Sequence, residues 1–355
     1  MHMSDALISP LVGGGMWVVS TGIIAYCSRR LRETMNDAIV PLMGVLGAFV
    51  FAAQMINFTI PGTGSSGHLT GGLLLAVLLG PYAAFLVMAS IITIQALLFA
   101  DGGLLALGCN IFNMAFPACF IAYPLIYRPI AGGANPSNLR LLFGSVAAAM
   151  LALQIGAFGV VLETLLSGIS ELPFTTFVLF MQPIHLAIGV VEGVVTAGVM
   201  GFLYRVRPEL FASDCHNDRV RVSKPLLAGF AVVAFLTAGV FSWFASTHPD
   251  GLEWSIANVA GKEELEAAKD GIHGLFSTVQ SKLAFMPDYS LPEEKEEGAK
   301  DAKAEVNAEA EKSKKETWPA VSPSTSLAGI IGGIITLLVV SAAGLVLKRG
   351  IAKNA

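Results

Sequence analysis

Charged residues are scarce in this chain. Asp, Glu, Lys and Arg make up 14% of the 355 residues, whereas hydrophobic residues make up 54% and the mean hydropathy is +0.67. A soluble globular domain carries roughly 25% charged residues, so the shortage indicates a chain whose main solvent is membrane lipid. No basic patch interleaved with aromatic residues is present, which argues against a nucleic-acid partner.

Catalytic motifs and paired cysteines are also missing. The chain has no GxxxxGKS/T phosphate loop, no HExxH, no GxSxG and no CxxC pair. We therefore predict that it is not an enzyme and that it does not hydrolyse ATP through a phosphate loop. The four cysteines, Cys27, Cys109, Cys119 and Cys215, are scattered along the sequence, and no structural disulfide is predicted.

Long apolar runs define the predicted architecture. Runs of about 20 apolar residues predict membrane-spanning helices, and they lie near residues 7–27, 38–57, 82–99, 104–126, 140–166, 175–203, 225–246 and 324–347. One further run, 69–80, is shorter and ends at Gly80-Pro81. It is interpreted either as a short span or as a re-entrant segment.

Lysine and arginine predict the sidedness. Their positions before residue 225 fall in the loops 28–37, 127–140 and 204–224, and cytoplasmic loops are enriched in both residues. All three loops lie inside only if 69–80 also crosses. The prediction is an all-α polytopic protein with about nine transmembrane helices, seven before residue 204 and two after it. The N-terminus is expected outside and the C-terminus in the cytoplasm.

The chain divides into two predicted components. Residues 1–215 form the larger membrane component, and residues 216–355 form a two-span component around an extracytoplasmic segment, 247–322. Within that segment the charged tract 292–316 is expected to be flexible or transiently helical. Residues 252–286 are expected to form a short amphipathic helix. The sequence HPDGLEWSI, 248–256, is interpreted as an Asp-Gly turn without a catalytic grouping.

The N-terminus itself has metal-binding potential. It lacks the basic n-region and cleavage site of a signal peptide, so Met1 is expected to stay. The α-amine of Met1, the amide nitrogen of His2 and the His2 imidazole can chelate one ion, and a nitrogen set of this kind suits tetragonal ions such as Ni(II) or Cu(II). The alternative is a chance surface histidine or a remnant of cloning.

A second histidine lies in a glycine-rich loop. His68 occurs in PGTGSSGHLTGG, 61–72, where glycines let backbone approach a ligand closely. By the predicted sidedness this loop is level with the N-terminus, so His68 could supply a fourth nitrogen. Alternatively, it is a helix cap or a solvated side chain.

Further polar residues lie in or beside the predicted spans. Asp101 is in a tight turn, and Asn110 and Asn113 follow at i, i+3 on the next helix. They either support the metal ligands or gate the site, or else they serve turn formation and helix packing. His185 and Glu192 are two helical turns apart and share a face. Both a functional role and an interhelical hydrogen bond that fixes the bundle remain open for them.

Four separated motifs carry a family resemblance. In chain order they are MHMSDALIS, GHLTGG, QALLFADGGLLALGCNIFNMAF and HLAIGVVEG. Over residues 1–210 the chain resembles the CbiM/NikM family, the substrate-binding (S) components of energy-coupling factor transporters for cobalt and nickel. The remainder, with PDGLE at 249–253, resembles a CbiN/NikN-type component fused to the C-terminal side.

The resemblance implies a function and its residues. Met1, His2 and His68 would bind Ni2+ or Co2+ as the transported substrate, in a planar nitrogen arrangement. The implied partners are a transmembrane coupling (T) component and ABC-type ATPase subunits in a bacterial or archaeal cytoplasmic membrane. Two rival functions are an ion-coupled secondary metal transporter and a membrane metal sensor.

Overall fold

The protein is mostly helical. The computed structural model describes residues 1–34, 39–133, 135–207, 224–263, 265–291 and 319–352. Two short strands, β1 and β2, form an antiparallel hairpin. The elements are α1 Pro10–Thr34, α2 Ile39–Gln54, β1 Phe58–Ile60, β2 Ser65–Gly67, α3 Gly72–Leu79, α4 Pro81–Leu98, α5 Leu107–Phe116, a π-helical stretch Pro117–Tyr127, α6 Arg128–Ala131, α7 Asn138–Ser167, α8 Phe174–Val206, α9 Lys224–Gly239, α10 Gly251–Ala260, α11 Gly271–Leu283 and α12 Pro323–Ala352.

Helix length decides which elements are able to span a bilayer. Among the described residues, six helices are long and apolar enough, and they are Pro10–Glu33, Pro81–Leu98, Leu107–Ala131, Asn138–Ser167, Phe174–Val206 and Pro323–Arg349. Helices α2 and α9 are apolar but only 16 residues long, about 24 Å at 1.5 Å per residue. A membrane protein is therefore confirmed, whereas the count of nine crossings is not. The sidedness stays a prediction.

The run 69–80 is the main difference from the predicted spans. Its helix, α3, begins only at Gly72 and has eight residues, about 12 Å of length. Just before the helix, Thr70 and Gly71 donate their backbone N–H groups to the Glu192 side chain. Gly71 adopts φ +74° there, a left-handed conformation that glycine tolerates best.

Close helix packing builds the rest of the bundle. Helix α8 packs tightly on α7 because Gly189 and Gly193 lie at the contact, where a Cβ would come within 2.8 Å of Met150 Cα and 2.3 Å of Val146 Cα. Small residues four apart permit this backbone approach in membrane helices. Helices α9 and α12 pack against α2, so the C-terminal part is joined to the main bundle.

The described part of the predicted extracytoplasmic segment forms two helices rather than one. Residues 246–291, called here the cover segment, contain α10 and α11, separated by Gly261 at φ +73°. That left-handed glycine terminates α10, which explains why a single helix over 252–286 was a wrong prediction. The tract 292–316 and Cys215 lie outside the described residues, whereas Cys27, Cys109 and Cys119 are buried free thiols.

Candidate metal centre

The first nine residues run into the bundle instead of lying on its surface. Met1 is 4% exposed and Met3 is fully buried. The Asn110 side chain holds Met3 by both backbone groups, accepting from Met3 N at 2.8 Å and donating Nδ2 to Met3 O at 3.1 Å. Gly103 N also donates to Met3 O. The N-terminus is thus fixed in place by helix α5 and by the turn before it.

His2 is enclosed, and each of its ring nitrogens lies close to a side-chain oxygen. Its side chain is 8% exposed, its Nε2 lies 3.2 Å from Gln95 Oε1, and its Nδ1 lies 3.2 Å from Asp101 Oδ1. Its ring stacks on that of His68, with centroids 5.4 Å apart. The two predicted histidine ligands therefore lie together, and Asp101 lies beside His2.

A chain of buried amides determines the tautomer of His2. Gln54 Nε2 donates to the Thr70 carbonyl at 2.7 Å, which leaves Gln54 Oε1 to accept from Gln95 Nε2 at 2.8 Å. Gln95 therefore presents its own oxygen to His2 Nε2, and that nitrogen must carry the proton. The other ring nitrogen, Nδ1, keeps its lone pair. Nδ1 is the nitrogen that can close a chelate ring with the His2 amide and the Met1 amine.

The same tautomer leaves an electron-rich gap beside Asp101. In neutral His2, the Nδ1 lone pair faces the Asp101 Oδ1 atom with no hydrogen available between them. Tyr289 from the cover segment donates to the other oxygen, Oδ2, at 2.6 Å, so Asp101 is held in this orientation. Two acceptors opposed in this way favour a cation between or beside them.

His68 is positioned by the loop between β2 and α3. Its Nδ1 lies 3.2 Å from the Leu69 carbonyl, which only accepts, so Nδ1 donates and Nε2 is left with its lone pair. Two residues further on, Thr70 donates from its backbone N at 2.8 Å and from its hydroxyl at 2.7 Å to Glu192. Glu192 is buried in α8, and it holds the loop that carries His68 through these contacts with Thr70.

The α-amine of Met1 has an unpredicted partner, Asp250. Its Oδ2 accepts from the amine at 3.0 Å and lies 4.0 Å from His68 Nε2. Asp250 also caps α10 in a capping box with Glu253. The pattern DGLE at 250–253 signals such a cap in the sequence, but it does not show that the cap lies against the N-terminus.

Burial determines the protonation of these groups. Burial lowers the pKa of His2, and burial together with the nearby Met1 ammonium lowers the pKa of His68 to about 4. Both imidazoles are therefore neutral at pH 7 and keep a lone pair for a metal ion. Burial alone would raise the pKa of Asp250, but the Met1 ammonium and His68 hold it below its usual range.

His185 reaches the same place from α8. Its Nδ1 lies 2.8 Å from the Met181 carbonyl of its own helix, and among the described residues its ring forms no hydrogen bond to another helix. A small cavity is bordered by His185 together with Met1, His68 and Asp250. Because Nδ1 donates to the carbonyl, the Nε2 lone pair is available on the cavity side.

Asn113 lies further from the candidate ligands. Its Nδ2 donates to Glu163 Oε2 at 2.6 Å and lies 3.9 Å from Met3 Sδ. Glu163, which is 7% exposed in α7, was missed at the sequence level, although an acid within an apolar run is a signal of function or pairing. Gln54 and Gln95 were missed as well.

Side chains alone do not make a metal site here. Within the described ranges, no group of three or more His, Cys, Asp and Glu side chains is arranged to hold an ion. What the fold does assemble is the Met1 amine, the His2 main chain and imidazole, and the His68 imidazole. The candidate centre therefore depends on main-chain nitrogens.

Comparisons with known proteins identify the family of the chain. The family model for the cobalt uptake substrate-specific transmembrane region, CbiM, matches residues 2–210, and the PDGLE domain model matches residues 224–349. A protein of Archaeoglobus fulgidus with the provisional name fused nickel transport protein NikMN is 37% identical over 299 residues, which cover 82% of this chain and 89% of the relative.

Two further comparisons cover the N-terminal part. The cobalt transport protein CbiM of Sorangium cellulosum is 32% identical over 231 residues, which cover 62% of this chain and 96% of the relative. A crystal structure of a transition metal transporter superposes with a TM-score of 0.51 at 32% identity, covering 58% of this chain and 93% of that one. The chain therefore belongs to the CbiM family of cobalt-uptake transmembrane proteins, with a PDGLE domain joined to it in one multi-pass membrane protein of metal transport.

Proposed function

We propose that this protein captures one Ni2+ or Co2+ ion with high affinity and imports it as the substrate-binding subunit of an ATP-driven energy-coupling factor transporter. The observation that carries the proposal is the convergence of the Met1 amine, His2 and His68 in one enclosed place. The ligand atoms are the α-amine, the His2 amide nitrogen, His2 Nδ1 and His68 Nε2.

The chemistry of these four nitrogens supports a d-block ion. Nitrogen sets that include imidazole suit nickel, copper and zinc, and a tetragonal arrangement suits Ni(II). Both imidazoles are neutral at pH 7, so they bind without losing a proton. The amine and the amide must each give one up, so we expect release of about two protons per ion, since metal ligands bind in deprotonated form.

The cover segment gives the site its closed state. It forms hydrogen bonds to three loops around the proposed ligands. Pro249 O accepts from Ser66 N at 2.8 Å. Gln280 Nε2 donates to Gly102 O at 2.7 Å, and His273 Nε2 donates to Ile8 O at 2.9 Å. An ion reaches the ligands only when some of these contacts open. We propose that opening of the cover segment admits the ion and that its closure retains it.

Measuring transport by the chain alone and with its proposed partners distinguishes the proposal from a secondary transporter and from a sensor. Proteoliposomes holding this protein with a transmembrane coupling component and ATPase subunits should accumulate radioactive Ni2+ or Co2+ when ATP is supplied. Liposomes with the protein alone should bind the ion without accumulating it. Uptake by the protein alone under an imposed membrane potential would instead identify an ion-coupled secondary transporter, and binding without uptake in either case would favour a sensor.

A further inference from the structure

One carboxylate oxygen lies between two of the proposed metal ligands. Asp250 Oδ2 is 3.0 Å from the Met1 amine and 4.0 Å from His68 Nε2. The three side chains are 16%, 3% and 10% exposed, respectively. The oxygen therefore shares an enclosed space with two nitrogens that are both able to bind a metal.

The separation between the amine and Asp250 Oδ2 matches that of neighbouring atoms bound to one metal ion. With metal–ligand bonds of about 2.1 Å, neighbouring ligands lie about 3.0 Å apart and opposite ligands about 4.2 Å apart. The amine–carboxylate distance of 3.0 Å fits the first value. An oxygen added to a planar nitrogen set is a neighbour of every nitrogen, so the 4.0 Å between Oδ2 and His68 Nε2 must shorten by about 1 Å on binding. An ion bound to the amine and to His68 would lie within bonding distance of Oδ2 without a large movement of Asp250.

Asp250 is also oriented in the manner of a metal ligand. Its other oxygen, Oδ1, accepts from Leu252 N at 2.8 Å and from Glu253 N at 2.9 Å, and its own backbone N donates to Glu253 Oε2 at 2.9 Å. Hydrogen bonds of this kind hold a ligating carboxylate in place. One oxygen is thus committed to the helix cap, and the other is directed at the amine.

We propose that Asp250 Oδ2 is an oxygen ligand of the transported ion, supplied to the nitrogen set by the cover segment. The proposal rests on the proposed function, because it presupposes the site at Met1, His2 and His68. On binding, the ion takes the place of the proton that the amine gives up, and the contact between amine and carboxylate becomes a metal-bridged one. The carboxylate also supplies negative charge to a divalent ion in an enclosed site, where an unpaired charge is costly.

An added oxygen changes the metal preference. A planar set of four nitrogens suits Ni(II), whereas oxygen ligands and a higher coordination number reduce that preference. Asp250 should therefore support Co(II) more than Ni(II). It also makes metal binding depend on a closed cover segment, because the ligand arrives only when α10 is docked.

The test compares Asp250→Asn with two other variants in the full chain with its native N-terminus. Asparagine is a good N-cap, so α10 should persist while the anionic ligand is lost. His2→Ala tests the proposed function separately. Gln280→Ala removes the bonds from the cover segment to Ala96 O and Gly102 O and reports on weakened closure alone.

Affinities for Ni2+ and Co2+ come from competition titration, and the electronic absorption spectrum of each complex reports the coordination. We expect Asp250→Asn to weaken Co2+ binding at least about tenfold and to weaken Ni2+ binding by a smaller factor. The spectrum of the Ni2+ complex should shift towards that of a planar complex. Gln280→Ala should leave the spectrum of each metal-saturated complex unchanged, because Asp250 still reaches the ion whenever the cover segment closes. Unchanged spectra or equal or tighter binding in Asp250→Asn would overturn the proposal, whereas full binding by His2→Ala would overturn the proposed function instead.

Discussion

Two extra residues placed before Met1 should abolish metal capture even though both histidines remain. The extension turns the α-amine into an amide, so one of the four nitrogens no longer binds as a basic amine. If four ligands share roughly 12 kcal/mol of binding free energy, losing one costs about 3 kcal/mol, on the order of a hundredfold in affinity. Steric hindrance adds to this, because the Met1 side chain is only 3% exposed and its amine bonds to Asp250.

The measurement is a competition titration with Ni2+ or Co2+ on purified protein. The control is the same extended protein after cleavage by a protease that regenerates Met1 as the first residue. Cleavage should restore binding in full. An extended protein that binds as tightly as the cleaved one would show that the amine is not a ligand.

Glu192→Gln should lower both stability and metal affinity. The two carboxylate oxygens of Glu192 accept from Thr70 N, Gly71 N and the Thr70 hydroxyl. A glutamine has only one oxygen, so its amide group would face a backbone donor. An unsatisfied buried donor costs about 1–3 kcal/mol, and the loop that carries His68 should move.

Thermal unfolding and a metal titration together check this prediction. We expect a lower melting temperature and roughly a ten- to hundredfold loss of affinity, the range seen when residues that orient metal ligands are removed. Glu171→Gln, a matched change at an exposed position, should alter neither. If Glu192→Gln bound the ion with wild-type affinity, Glu192 would not be what holds the His68 loop in its metal-binding position.

Local patterns predicted the positions of the six helices that are long enough to span a bilayer. Their signal is an apolar run, and burial in lipid or in the bundle requires little more than length and hydropathy. The run 69–80 departs most from its predicted span, and Glu192 of a distant helix accepts hydrogen bonds from Thr70 and Gly71 at its start. Hydropathy contains no information on that contact, so the length of α3 could not be predicted from hydropathy.

The candidate site, like the helices, could be predicted from the sequence only in part. Met1 and His2 are adjacent in sequence, and their chelating chemistry is readable there. Asp250 approaches Met1 only because α10 docks against β2, where Ser66 N donates to Pro249 O. Gln54 and Gln95 are ordinary polar residues in apolar helices until a hydrogen-bond chain connects them to His2.

The most direct test of the account is a metal titration of the purified protein, with its native N-terminus, beside His2→Ala. His248→Ala serves as the control, since His248 is an exposed histidine two residues from Asp250. The account predicts that wild type and His248→Ala bind one Ni2+ or Co2+ ion with the same affinity, and that His2→Ala loses that binding. If His2→Ala bound the ion as tightly as wild type, the metal site would not be at the N-terminus.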